Sequence, residues 1–168
     1  MKKYEIYTDG ATSKNGYEGS IGGWGWVIYD SERNIVVEEG NGACVNTTNN
    51  QCELTAMIEA CGVARKYMDD DDFAVVYSDS AYIINCYKEK WYYKWQENGW
   101  VNVKKAPIAN QIDWKLLIFF FEDPRFDFRK VRGHNGIEGN ERADELAVNA
   151  RRILELELKA PCYVPEGE

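Results

Sequence analysis

A chain of 168 residues, 45% hydrophobic and 14% aromatic, is long enough to bury one core unaided and too apolar to be disordered. Its five cysteines contain no C-x-x-C pair and have one histidine beside them, which argues against a zinc cluster and for reduced, mostly buried thiols. No apolar run reaches the length of a membrane span or follows Met1-Lys2-Lys3 as a signal would, so a cytoplasmic protein is expected, and a net charge of −8 disfavours phosphate binding unless the cations are gathered in one place.

Lys3 to Thr8 alternates as a half-buried strand does, and Gly10 reads as its stop, which puts Asp9 near a strand end. A polar, glycine-rich turn is expected over Ala11 to Gly23. Trp24 to Tyr29 and Asn34 to Gly42 read as two further strands, so the chain opens as an antiparallel meander. Thr47-Thr48-Asn49-Asn50 offers helix-capping side chains, and Leu54, Met57, Ile58 and Cys61 follow at helical spacing. Glu53 is expected in the first turn of that helix, where it reads equally as a complement to the helix dipole or as a functional acid. Asp69 to Asp72 reads as a solvated turn, and Phe73 to Ser78 as a strand running into Asp79. A helical region with Tyr82, Ile83 and Ile84 follows.

Lys90 to Trp100 then interleaves lysine with tryptophan and tyrosine. Between Lys88 and Lys105 five lysines stand against two glutamates, a basic patch on an acidic chain. Asn110 is placed to cap a helix carrying Trp114, Leu117, Ile118 and Phe121, with Pro124 beyond its end, and Phe126 to Val131 reads as the fifth strand. Gly133-His134-Asn135-Gly136 reads as a flexible turn. Asn140 is placed to cap a last helix in which Ala143, Leu146, Ala147 and Ala150 share a face and Asp144 lies near the start. The tail from Glu155 extends this helix and frays at Pro161 and Pro165. The order βββαβ, helices, βα predicts an α/β domain with a mixed sheet.

Asp9, Glu53, Asp79 and Asp144 each fall where an element meets a loop. Carboxylates that converge repel one another unless a cation or a proton neutralises them. A carboxylate cluster without cysteine or clustered histidine suits Mg²⁺ or Mn²⁺ rather than zinc. Two such ions roughly 3.5 to 4 Å apart activate water and stabilise a leaving oxygen, which suggests phosphoryl transfer. The alternative is four unrelated surface acids among 28.

Tyr7-Thr8-Asp9-Gly10, the run from Thr47 to Leu54, Tyr77-Ser78-Asp79-Ser80 and the run from Val131 through Gly136 to Ala147 resemble type 1 ribonuclease H in order and wording, over Tyr4 to about Ala150. The resemblance implies a ribonuclease H-like fold: a five-stranded mixed sheet, three antiparallel strands then two parallel, flanked by helices. It implies the compact single-domain form, a monomer, with a catalytic domain over 1–150, a basic protrusion over about 86–106, and a helix extension and acidic tail over 151–168. The implied activity is cleavage of the RNA strand of an RNA/DNA hybrid with two Mg²⁺ ions, Mn²⁺ as possible substitute, giving 5′-phosphate and 3′-hydroxyl ends. Asp9, Glu53, Asp79 and Asp144 would be the metal ligands, and His134 would assist proton transfer or product release.

By the same resemblance Asn15, Asn49, Asn50 and Gln51 would read the hybrid's minor groove, where 2′-hydroxyls mark RNA. Thr48 and Asn110 would hold a phosphate of the DNA strand. Trp91, Trp95, Lys94, Lys104 and Lys105 would form the protrusion's contact surface, although the helical spacing of the two tryptophans also suits packing onto the domain. Ala81 stands where many relatives carry a hybrid-contacting glutamine, and Asn46 where an arginine often supports the phosphate pocket. Both departures imply weaker substrate grip with intact catalysis.

Overall fold

The computed structural model describes residues 1–13, 18–131 and 137–159. Three antiparallel strands come first: β1 (Lys3–Ser13), β2 (Ile21–Asp30) and β3 (Ile35–Val45). Helix α1 (Asn49–Tyr67) crosses to β4 (Phe73–Ser78), which is parallel to β1. Helices α2 (Ala81–Glu89), α3 (Trp91–Asn98) and α4 (Gln111–Phe121) lead to β5 (Phe126–Lys130), parallel to β4, and α5 (Glu138–Lys159) ends the described chain. The sheet order is β3-β2-β1-β4-β5, the mixed sheet expected from the sequence.

One row of the sheet shows how alternation builds the core. Ile28, Ile6, Val76 and Phe128 are register partners across four strands, and all four are fully buried against Leu54 and Met57 of α1 and Trp114 of α4. The next row, Val27, Tyr7 and Tyr77, turns to the opposite face and meets α5 through Ala143. Tyr7 and Tyr77 stack there with ring centroids 5.0 Å apart.

Gly10 does not stop β1, which runs on to Ser13 paired with Ile21, so both ends of the expected turn over Ala11 to Gly23 are strand. The glycine serves close approach: a Cβ at Gly10 would lie 3.0 Å from both Cys52 Cβ and the Glu53 backbone nitrogen. Gly23 and Gly25 do the same on the other face, where a Cβ would come within 2.1 Å of the Ala147 carbonyl and 2.4 Å of that of Ala143. With Ala143 and Ala147 facing them, these glycines let α5 lie directly on β2. These glycines are seats for two helices.

Three further expectations need correction. Asp72 is not a solvated member of its acidic run: it is buried and accepts hydrogen bonds from the backbone nitrogens of Lys2 (2.7 Å) and Asp69 (2.9 Å), closing the turn before β4. Asn110 precedes α4 as expected, but through a left-handed backbone (φ 61°) with no side-chain cap. Asn140 lies inside the first turn of α5, buried, rather than ahead of it.

Candidate active site

The parallel ladder between β1 and β4 ends at Tyr7 and Tyr77, so the two strands part where β1 reaches Asp9 and β4 gives way to Asp79. Acids from both sides of the sheet meet in that gap. Asp9 is only 5% exposed, and its Oδ1 accepts the backbone N–H of Gly10 at 2.9 Å. Glu53 comes from α1 on one face, in the second turn rather than the first, where the helix has no acid. That position and its burial set aside the reading of Glu53 as a complement to the helix dipole. Asp79, half-buried, is held just ahead of α2, whose first turn is capped by Ser80 Oγ accepting from Ile83 N at 3.3 Å. One carboxylate oxygen from each of Asp9, Glu53 and Asp79 lies within 4.8 Å of the others.

Asp144 enters from α5 on the opposite face and lines the same cleft of about 400 Å³, together with Asn49, Asn50 and Ala81. It stands outside the 4.8 Å set and acts on Asp9 as a more distant charge. The cluster is therefore a tight trio with a fourth acid across the cleft.

Burial pushes the Asp9 carboxyl well above the ordinary carboxylate range, and the Asp79 charge adds to the shift. Burial does the same to Glu53, reinforced by Asp9 and Asp79. Without a neutralising partner, repulsion within the trio opposes ionisation of Asp9 and Glu53. Glu53 Oε2 is buried and has no hydrogen-bond partner. An orphaned, buried carboxylate oxygen on a member of an all-oxygen cluster fits a hard divalent cation, and offers nothing to a thiophilic metal.

The substrate-reading candidates separate into groups. Asn49 and Asn50 are exposed on the cleft wall. Thr48 is the N-cap of α1, its Oγ1 accepting from Gln51 N at 3.2 Å, while Gln51 Oε1 accepts from Thr47 Oγ1 at 2.8 Å. Lys94, Lys104 and Lys105 are solvent-exposed and outside the cleft lining, and Asn110 is half-buried at the start of α4. Trp91 is half-buried, its ring centroid 5.9 Å from that of Tyr82. Trp95 is only 9% exposed and packs between Trp100 (5.8 Å) and Trp114 (5.4 Å), so the packing reading of the tryptophan spacing holds for this ring. Asn15 and His134 lie outside the described residues.

Sequence reasoning passed over Tyr82, which lines the cleft beside Ala81 and sets its ring edge-on to Trp114 at 5.4 Å. An aromatic two residues past the Asp79-Ser80 cap was the available signal.

Residues 1–152 match the RNase H family model. The chain belongs to the RNase H family. The ribonuclease H of Syntrophomonas wolfei is 44% identical over 155 residues, spanning 92% of this chain and 99% of that protein. The ribonuclease H of Moorella thermoacetica is 40% identical over 148 residues, spanning 88% and 90%. Among solved structures, LC9-RNase H1, a type 1 RNase H with the type 2 active-site motif, superposes with a TM-score of 0.74 at 28% identity over 90% of this chain and 73% of that one. LC11-RNase H1, solved in complex with an RNA/DNA hybrid, superposes with a TM-score of 0.65 at 28% identity, covering 90% and 99%. The Asp9 cleft of this chain lies where β1 and β4 part.

Proposed function

We propose that this RNase H is a monomeric, cytoplasmic endonuclease that hydrolyses the RNA strand of RNA/DNA hybrids with two divalent ions, leaving 5′-phosphate and 3′-hydroxyl ends. Residues 1–150 form the catalytic domain, 86–106 its basic protrusion and 151–168 an extension. The observation that carries the reading is the trio of buried Asp9 and Glu53 with half-buried Asp79, an orphaned Glu53 oxygen and carboxylates that repel one another.

Asp9, Glu53, Asp79 and, from across the cleft, Asp144 would hold Mg²⁺, or Mn²⁺ in its place. Bound there, the cations supply water activation and stabilisation of the leaving oxygen. The protein does the rest. Burial of Asp9 and Glu53 keeps competing water off the carboxylates, and the Gly10 N–H fixes the orientation of Asp9. Asn15, Asn49, Asn50 and Gln51 read the minor groove, where the 2′-hydroxyls select the RNA strand. Thr48 and Asn110 hold a DNA-strand phosphate, and Lys94, Lys104 and Lys105 with Trp91 grip the backbone beyond the cleft, setting register without reading sequence. His134 assists proton transfer or product release.

The test is a cleavage assay on a labelled RNA/DNA hybrid beside duplex RNA, duplex DNA and single-stranded RNA, with Mg²⁺ present or chelated. Metal-dependent cutting of the hybrid's RNA strand alone, with 5′-phosphate products, is the expected result. Binding of hybrid without cleavage in either Mg²⁺ or Mn²⁺ would make the chain a binding module and leave the acid trio without a catalytic role.

A further inference from the structure

Between β1 and β2, and just before α1, the backbone is tied by a set of hydrogen bonds that the reaction does not use. Ser20 is fully buried, and its hydroxyl works in both directions: Oγ donates to the Thr47 carbonyl at 2.9 Å and accepts the Thr47 N–H at 2.9 Å. The Ser20 carbonyl accepts the Asn46 N–H at 2.7 Å, and Asn46 Oδ1 accepts the Gly19 N–H at 2.9 Å. Asn46 itself sits in the left-handed region (φ 53°), which asparagine adopts more readily than most residues. The tie then passes into α1 through Thr47, whose Oγ1 donates to Gln51 Oε1 at 2.8 Å. Gln51 N in turn donates to Thr48 Oγ1 at 3.2 Å, so the chain of bonds ends on the first turn of α1.

We propose that Ser20 and Asn46 are positioning residues that hold the first turn of α1, with Thr48, Asn50 and Gln51, in register for the hybrid. The inference rests on the proposed function, since it is the hybrid that these side chains would meet. The Asn46 amide oxygen is the acceptor that fixes the Gly19 backbone. A pre-ordered binding surface loses less conformational freedom when substrate docks.

The experiment uses the full chain as wild type, Ser20→Ala and Asn46→Ala. Hybrid affinity is measured by fluorescence anisotropy with divalent cations chelated, and KM and kcat are measured in Mg²⁺. Ser20→Ala leaves a buried N–H and carbonyl unpaired, and we expect affinity to fall and KM to rise about tenfold with kcat within about twofold of wild type. Asn46→Ala changes an exposed side chain, so the fold survives, and about a threefold loss of affinity is expected. Lower melting temperatures with unchanged affinity and KM in both variants would make the ties structural only and overturn the proposal. Wild type that binds no hybrid would overturn the function itself, and the positioning role with it.

Discussion

The acidic cleft and the basic protrusion are built on opposite terms. In the cleft, Asp9 and Glu53 are buried beside Asp79 with like charges facing one another and one oxygen unpaired. In the protrusion the charges are outside and the apolar surface inside: Lys94, Lys104 and Lys105 are exposed, while Tyr92 and Trp95 fill the core. Lys90 and Lys115 even lie over the rings of Tyr93 and Trp100, at 5.2 and 5.0 Å. The first region opposes folding in order to offer a cation site; the second folds as any amphipathic segment does and presents charge at no internal cost. The same fold therefore carries one site that stability disfavours and one that it favours.

The sharpest way to break this contrast is to remove an aromatic that the protrusion buries. Trp95→Ala opens a cavity among Trp91, Trp100 and Trp114 and should cost about 3–5 kcal/mol of stability in urea denaturation. Trp91→Ala, at a half-buried ring, should cost much less. Equal losses would erase the distinction drawn between the two tryptophans.

The cleft should respond in the opposite sense. Glu53→Gln should reduce hybrid cleavage by at least about 100-fold, because the loss of a metal-holding group exceeds the 10- to 100-fold cost of disturbing a group behind one. The same change should leave the metal-free protein as stable as wild type or up to about 1 kcal/mol more so, since it removes a repelling charge. The sign of the pH dependence follows. The folded-state pKa values of Asp9 and Glu53 are raised, so the unfolded chain releases these protons first and metal-free stability falls as pH rises from the ordinary carboxylate range to the raised values. Below that window the two groups contribute no slope. In Glu53→Gln the fall should shrink, and thermal melts in chelator across pH measure it; an identical slope would show that Glu53 does not titrate with its neighbours.

Most of the architecture was legible because it rests on local patterns. Phe73 to Ser78 is read as a strand and is one, and Trp114, Leu117, Ile118 and Phe121 are the buried positions of α4. What the sequence concealed depends on contacts between distant segments. Gly10 and Gly23 look like turn residues and Gly25 like an ordinary strand position, and only the approach of α1 and α5 shows why a side chain is excluded. Asp72 looks solvated until the chain start folds back to donate Lys2 N. Motif spacing identified all four acids but not their grouping, because the separation of Asp144 from the trio is set by which face of the sheet each helix occupies. Ser20 carries no local signal, since its partner Thr47 is 27 positions away.

The lysines test the other half of the contrast. If they act as solvent-side charges, the triple change Lys94→Ala, Lys104→Ala, Lys105→Ala should leave melting temperature and kcat nearly unchanged. It should weaken hybrid binding and reduce the slope of log affinity against log salt by up to about 2–3, three phosphate contacts at about 0.9 each. An unaltered slope in a salt titration would remove these lysines from the interface.

The smallest expected effect lies at the boundary between the two regions. Ala81 is exposed on the cleft lip beside Asp79 and Tyr82, at the first position of α2. Ala81→Gln places an amide at this exposed helix end. One additional hydrogen bond to the substrate is worth about 0.5–1.5 kcal/mol, or roughly a 2- to 10-fold lower KM. Because the amide touches substrate and transition state alike, kcat should not change, and steady-state kinetics at two salt concentrations should show a KM gain that persists at high salt. A gain that vanished with salt would assign the effect to an altered field at the cleft rather than to a contact, and would place Ala81 with the protrusion's electrostatics instead of the cleft's geometry.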